Sequence, residues 1–487
     1  FALSAAGAFA SLHQFVYGSD GANPSGPLLL AGDGYLYGVT ANGGPANDGT
    51  AFRVARDGTQ TVLATFTGDT GSSPSGALVQ GRDGNFYGVT QYGGASNDGT
   101  VFQMTPAGAL TAIHSFRSDT EGMFPSGGLL LASDGYFYGV TSDGGAGSVG
   151  TVFRVDTQGS LVVLHSFAYD SNGSNPTGPL VQGSDGNFYG SLASDVNFTG
   201  HLFRMTPDGA VTLLYNLSSD TDGYSPQGGL VQGPDGSFYG TVDAGGPGGG
   251  GTLFNFTVGG AFNVLHALSS ETDGDDPAGG LALAANGNLY GTAYDGGTND
   301  NGTVYEQMAG GTFNVLHTFS ALYANGINQD GANPPSALVQ DADGNLYGVA
   351  KNGGAAGLGT VFVLSPVHPT FFDGEVGLGN GVFYLGFASG NPFGYYAFLS
   401  DPDYLYHFDL GYEYVFDAQD GYSGVYLYDF ASSTFFYTSP DFPFPFLYDF
   451  TLDTVLYYFP DPNNPGHYFG GSDRYFYDFA TGQVIVK

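Results

Sequence analysis

The residues best suited to chemistry in this chain are histidines and carboxylates, and both recur at regular spacing. His13, His114, His165, His266 and His317 share one position in a repeated apolar run, where two further copies carry Ala64 and Tyr215. Five related histidines suggest a metal ring. In a ring of small sheets, however, that run is the outermost strand, so the imidazoles stand far apart. In TAIHSF, period-2 alternation places Ala112, His114 and Phe116 on one face, and the expected role is packing. His201, His368, His407 and His467 are singletons.

The carboxylates cluster in the links after these runs: SDGANP, SDTEGMFP, YDSNGSNP, SDTDGYSP, ETDGDDP and QDGANP. Asp20, Glu121, Asp222, Asp273 and Asp330 would line one rim, and oxygen-rich turns are what Ca²⁺ takes. These five are the candidate metal ligands, with Ca²⁺ the one cofactor the sequence suggests. No link has the spaced ligand set of an EF-hand, and Asp-Gly and Asn-Gly also form ordinary turns. Asp341, Asp343 and Asn345 make a similar D-x-D-G-N turn.

No catalytic residue and no organic cofactor site is assigned. There is no G-x-S-x-G elbow and no H-E-x-x-H, and Cys is 0, which excludes disulfides, thiolate metal sites and thiol nucleophiles. The GG pairs, such as Gly93–Gly94, lack a following Lys-Ser/Thr and read as positive-φ turns. Sequons occur at Asn172, Asn197, Asn216, Asn255 and Asn301. Lys+Arg is 9 against Asp+Glu 45, a formal charge of −36. Such a polyanion is unsuited to nucleic acid, whose phosphates need basic patches. Cations, neutral glycans and proteins remain as partners. No apolar run reaches the roughly 18–20 residues of a membrane helix. The chain begins at Phe1 rather than Met, for which a removed secretion signal is the expectation and a shortened sequence the alternative.

The elements that position these residues come from an internal repeat. The segment GSDGNFYG recurs with Asp33, Asp83, Asp134, Asp185, Asp235, Asn286 and Asp343 at its Asp/Asn position, at spacings of 50, 51, 51, 50, 51 and 57. Each unit holds four short apolar runs bounded by turn residues: in residues 71–120 they are ALVQ, NFYGVT, TVFQM and LTAIHSF. Four strands in about 50 residues is the size of a propeller blade. The units lie near 21–70, 71–121, 122–172, 173–222, 223–273, 274–330 and 331–368. The last has only three strands, while residues 1–17 end in a lone fourth strand, GAFASLHQF. Joining them removes both open edges. The expected fold is all-β: a seven-bladed β-propeller over 1–368 with 3+1 N-terminal closure.

The run G-L-V-x-G-x-D-G-N-F-Y-G, then G-G, G-T-V-F and L-H-S-F, resembles the bacterial GloVer (choice-of-anchor) tandem-repeat family across nearly three-quarters of the chain. The match is weakest in the fourth unit, where Ser194–Asp195 replaces GG. The resemblance implies an exported, surface-associated repeat protein. Members often carry a C-terminal sorting anchor; here the end reads ATGQVIVK, without an apolar tail or a sortase-type motif. The unit is also similar to that of virginiamycin B lyase propellers, a likeness of fold alone.

Residues 369–487 differ, being about one-third Phe and Tyr. Short units pair with following apolar runs as serial β-hairpins, in a meander or small sandwich. Tyr426, Tyr428, Phe430, Phe446, Tyr448, Phe450, Tyr475, Tyr477 and Phe479 are the candidate assembly residues. Alternation leaves both faces apolar, so the module must be covered by folding, docking or a second copy. The expected function is that of a non-enzymatic extracellular structural protein, self-assembling through this module. The alternatives are a surface binding protein for glycan, cation or protein, and a polysaccharide-acting enzyme.

Overall fold

The structure is a computed structural model. It describes residues 8–365, apart from 17, 19, 169–172, 195–199, 278, 285–286 and 324–325, and beyond residue 375 the backbone of eleven strands. Two compact units divide the chain: 6–341 with 345–365, and 1–5 with 342–344 and 366–487. The described elements are strands and turns in a β-propeller arrangement. None of the described residues forms a helix long and apolar enough to cross a membrane.

The second unit shows how the repeat folds. Its strands Ser72–Gln80, Phe86–Tyr92, Thr100–Met104 and Leu110–Ser115 are antiparallel in chain order. Asp83 builds the first turn: its Oδ1 accepts from the Asn85 amide at 3.1 Å and its Oδ2 from the Tyr87 hydroxyl at 2.8 Å. In the seventh unit Asp341 takes over that task, accepting from Tyr347 at 2.9 Å. The second turn needs glycine at Gly93, where φ is +85° and an added Cβ would lie 2.6 Å from the Gly71 Cα.

The F-Y-G triplet is a packing code. Phe86 and Tyr87 point to opposite faces of their strand. Phe86 meets Tyr37 of the preceding unit at 4.4 Å between ring centroids, and Tyr87 meets Phe137 of the next at 4.3 Å. Tyr138–Phe188 and Tyr189–Phe238 repeat the contact at 4.1 Å each. Such pairs contribute about 0.5–1.5 kcal/mol beyond area burial. Gly88 is small because Phe102, its cross-strand partner, lies over it: an added Cβ would sit 2.5 Å from the ring.

The core is therefore built between units. Tyr37, Val39 and Ala51 pack with Leu78, Phe86 and Phe102. Tyr87, Val89 and Val101 pack with Leu129, Phe137 and Phe153. The series returns on itself, since Phe15, Leu28, Leu36 and Phe52 pack with Tyr347, Val349 and Val361. Strand Ala8–Gln14 pairs antiparallel with Thr360–Ser365, adding an N-terminal strand to the sheet of the last unit. Arg56 Nη1 also reaches the buried Asp341 Oδ2 at 2.9 Å, tying the first unit to the last.

In the aromatic region the eleven strands, from Val376–Gly379 to Gln483–Val486, form one sheet in chain order. Tyr426 and Tyr428 lie on Val425–Asp429, Phe446 and Tyr448 on Phe446–Asp449, and Tyr475 and Tyr477 on Tyr475–Asp478. Phe430, Phe450 and Phe479 lie outside the described residues.

Candidate functional site

The recurring histidines and the acidic links turn out to be partners. His13 Nε2 lies 3.1 Å from Asp20 Oδ2 and His114 Nε2 3.2 Å from Glu121 Oε2. His266 stands 3.0 Å from Asp273 and His317 3.1 Å from Asp330. In the fourth unit Tyr215 replaces the imidazole and donates to Asp222 at 2.9 Å. Four of these five carboxylates also take main-chain N–H bonds, from Val16, Ser218, Ser269 and Ser320 at 2.9–3.1 Å, and Glu121 takes a bond from the Arg117 guanidinium at 2.8 Å. The main-chain carbonyls of Glu121, Asp222, Asp273 and Asp330 accept from Thr151, Thr252, Thr303 and Thr360 of the third strands. These four acids are thus clamped at both ends, and their first duty is to fasten the link to its own sheet.

A β-bulge aims these histidines. The register shifts between Ala112 and His114, so two residues oppose Phe102. The same shift precedes His13, His165, Tyr215, His266 and His317. The expected alternation therefore breaks between Ala112 and His114, because the extra residue, Ile113, re-aims the side chain that follows, while His114 and Phe116 still meet at 5.5 Å between ring centroids. Burial alone would raise the Glu121 carboxyl, but the bonds from Arg117 and His114 outweigh it and hold it below the usual range. Burial would likewise raise Asp273, but the bonds from His266 and the Ser269 amide outweigh it and hold that carboxyl below the usual range. Burial and then the Asp222 bond push the Tyr215 hydroxyl up to about 12.

A cavity of about 500 Å³ lies where the first strands converge. All seven units line it, through residues such as Ser25, Ser75, Ser126, Thr177, Gly229, Gly280 and Ser336, and no titratable side chain is among them. Several hydroxyls are spent on the architecture. Ser25 donates to the Pro74 carbonyl at 2.7 Å and Thr177 to that of Pro226 at 2.6 Å, each reaching the next unit.

The most perturbed carboxyls among the described residues lie between the fifth and sixth units. Burial, and then the neighbouring Asp276, push the Asp243 carboxyl up to about 8 against a bond from Gln227. Burial, and then Asp295 and Asp275, push Asp276 up to about 6. Asp243 Oδ1 and Asp276 Oδ1 are buried without a hydrogen-bond partner. Among the described residues no three His, Asp or Glu side chains gather as a metal-holding group.

Sequence reasoning read Asp20, Glu121, Asp222, Asp273 and Asp330 on the links apart from the histidines, whereas the structure pairs them. The signal was a spacing: the acid follows its His or Tyr by 7 residues in four units, and by 13 where the sixth unit's link is longer. The first unit carries Ala64 in place of the imidazole, and in its link Thr70 takes the acid's place, its hydroxyl accepting from the Thr67 amide at 2.9 Å and its carbonyl from Thr100. Asp243 and Asp276 carried no such signal.

No curated protein matches the chain. Among solved structures, a protein of unknown function from Bacteroides thetaiotaomicron is 13% identical, with TM-score 0.41, over 73% of this chain and 75% of that one. The extracellular domain of BT4673 from the same organism is 11% identical, with TM-score 0.47; the match covers 97% of this chain but 58% of that one. The profile of the Gloeobacter/Verrucomicrobia repeat matches residues 1–130, 76–235 and 182–373. The chain belongs to the Gloeobacter/Verrucomicrobia repeat family.

Proposed function

We propose that this chain is a non-enzymatic extracellular structural protein in which a closed seven-bladed ring carries a self-associating aromatic β module. Seven blades follow if the eight-stranded sheet is divided at its one parallel bridge, Gly128 to Ala77, into two four-stranded units. The Ala8–Gln14 pairing with Thr360–Ser365 supports 3+1 closure. The uncharged lining of the central cavity favours a scaffold over a catalyst, because acid–base chemistry needs titratable groups there.

The observation that carries self-association is the register of the aromatic sheet. Phe416 pairs with Tyr426, Tyr426 with Tyr437 and Tyr437 with Tyr448, an aromatic row across four neighbouring strands. A second row runs Tyr404, Tyr414, Tyr428, Phe435. The intervening positions, such as Val415, Leu427 and Phe436, are apolar too. A single layer apolar at both sets of alternate positions needs cover on two sides, and a second copy supplies the same aromatic rows in return.

Sedimentation velocity and negative-stain electron microscopy test this reading on three proteins: the full chain, a chain ending at Pro369, and the full chain with Tyr426→Ser, Tyr437→Ser and Tyr448→Ser. Concentration-dependent assemblies are expected from the full chain alone. A monodisperse full-length monomer at high concentration would sink the proposal.

A further inference from the structure

Each unit opens on a residue followed by proline, and that residue has left-handed backbone: φ is 56° at Asn23, 55° at Asn175, 57° at Asp276 and 57° at Asn333. Where it is Asn, its amide nitrogen donates back to a main-chain carbonyl of the preceding unit. Asn23 reaches Lys351 at 3.0 Å, Asn175 reaches Ser142 at 3.0 Å and Asn333 reaches Tyr294 at 3.1 Å. Each of those carbonyls belongs to the residue two before the GG pair. At the junction of the fifth and sixth units the carbonyl at that place is Asp243's, before Gly245–Gly246, and the residue in the Asn position is Asp276, close enough for its charge to act on the Asp243 carboxyl.

The substitution inverts the chemistry of the junction. An ionised carboxylate accepts and cannot donate, so oxygen now opposes oxygen where three other junctions place an N–H. A second, independent group points to the same place. Asp243 is 7% exposed, and its Oδ1 has no hydrogen-bond partner, while Gln227 occupies its other oxygen. Asp276 Oδ1 is likewise buried and unpartnered. Asp295 and Asp275 add negative charge beside Asp276. Oxygens of two carboxylates and a main-chain carbonyl, with no nitrogen or sulfur donor, are the ligand set of a hard cation, and carbonyl ligation favours Ca²⁺ over the more strictly octahedral Mg²⁺.

We infer that one Ca²⁺-type divalent cation binds at this junction, held by Asp243 and Asp276 and bridging the fifth and sixth units. The ion does there what the Asn amide does at its sister junctions. The surrounding polyanion, with a formal charge of −36, draws cations toward it.

The test uses the full chain, stripped with chelator and titrated with calcium chloride by equilibrium dialysis, with thermal unfolding followed in parallel. Parent protein is compared with Asp276→Asn, which restores the sister-junction chemistry and so is expected to fold, and with Asp243→Asn. The comparison cancels diffuse binding to the acidic surface. The parent is expected to bind one equivalent more than either variant, and its midpoint should rise with calcium by mass action while that of Asp276→Asn stays flat. Equal stoichiometry and equal thermal response in parent and Asp276→Asn would overturn the proposal. So would a parent insensitive to millimolar calcium beside a more stable Asp276→Asn, which would show that the two carboxyls share a proton instead.

Discussion

Tyr305→Phe is expected to make the protein more stable, although it deletes a polar group. Across the repeat, the residue opposite the F-Y-G glycine is Phe: Phe52, Phe102, Phe153, Phe203, Phe254 and Phe362. The sixth unit alone places Tyr305 there, opposite Gly291. Its ring is 0% exposed and its hydroxyl has no hydrogen-bond partner. Burial alone drives its ionisation far above the ordinary range. An unpaired buried hydroxyl costs about 1–3 kcal/mol. Losing the dispersion contacts of one oxygen costs about 0.5–1 kcal/mol. The net gain is therefore about 0–2.5 kcal/mol. Guanidinium unfolding of parent and variant reads this as a higher midpoint at unchanged slope. The reverse change in the fifth unit, Phe254→Tyr, should lose a similar amount. If Tyr305→Phe is instead destabilising by more than about 0.5 kcal/mol, the hydroxyl has a partner in the core and the reasoning from burial is refuted.

In chelator-containing buffer, Asp243→Asn and Asp276→Asn should stabilise increasingly as pH rises. The parent carboxyls are raised from 3.8 to about 8 and about 6, so charging them opposes folding. That cost is absent below the unfolded-state value near pH 4, grows by at most about 1.4 kcal/mol per pH unit for each group, and is complete above about pH 8. Denaturation from acid to mildly alkaline pH measures it, and a variant–parent difference that does not change with pH would count against the buried pair. The rim clamp has the opposite sign. Asp273 is lowered, so its contribution is present above the unfolded value and lost as pH falls through the folded one. A double-mutant cycle on His266→Ala and Asp273→Ala should give a coupling of about 1–2 kcal/mol at neutral pH. That coupling should vanish in acid, and a coupling near zero at neutral pH would mean the pair is only crowded together.

Much of the ring was legible because a repeat writes each rule several times. Two adjacent aromatics on opposite strand faces, followed by glycine, state which ring meets the preceding unit, which meets the next, and where the third strand's Phe lies. Phe86, Tyr87 and Gly88 satisfy all three conditions. The lone strand GAFASLHQF likewise announced a partner, and Ala8–Gln14 found it in Thr360–Ser365. Period-2 alternation failed at Ala112 and His114, because a bulge adds one residue without leaving a mark in composition.

Local pattern thus determined the strands, the turns and the order of the repeats, since each depends on residues close in sequence and on side-chain alternation. The tertiary structure alone decided which polar groups met. His266 and Asp273 were visible as separate recurrences, but only the bulge and the returning link bring them to 3.0 Å. Asp243 and Asp276 belong to different units and looked like two more acids among 45. Packing of one unit on the next removes water from both, and desolvation, which has no sequence period, makes them the most perturbed carboxyls described in the molecule.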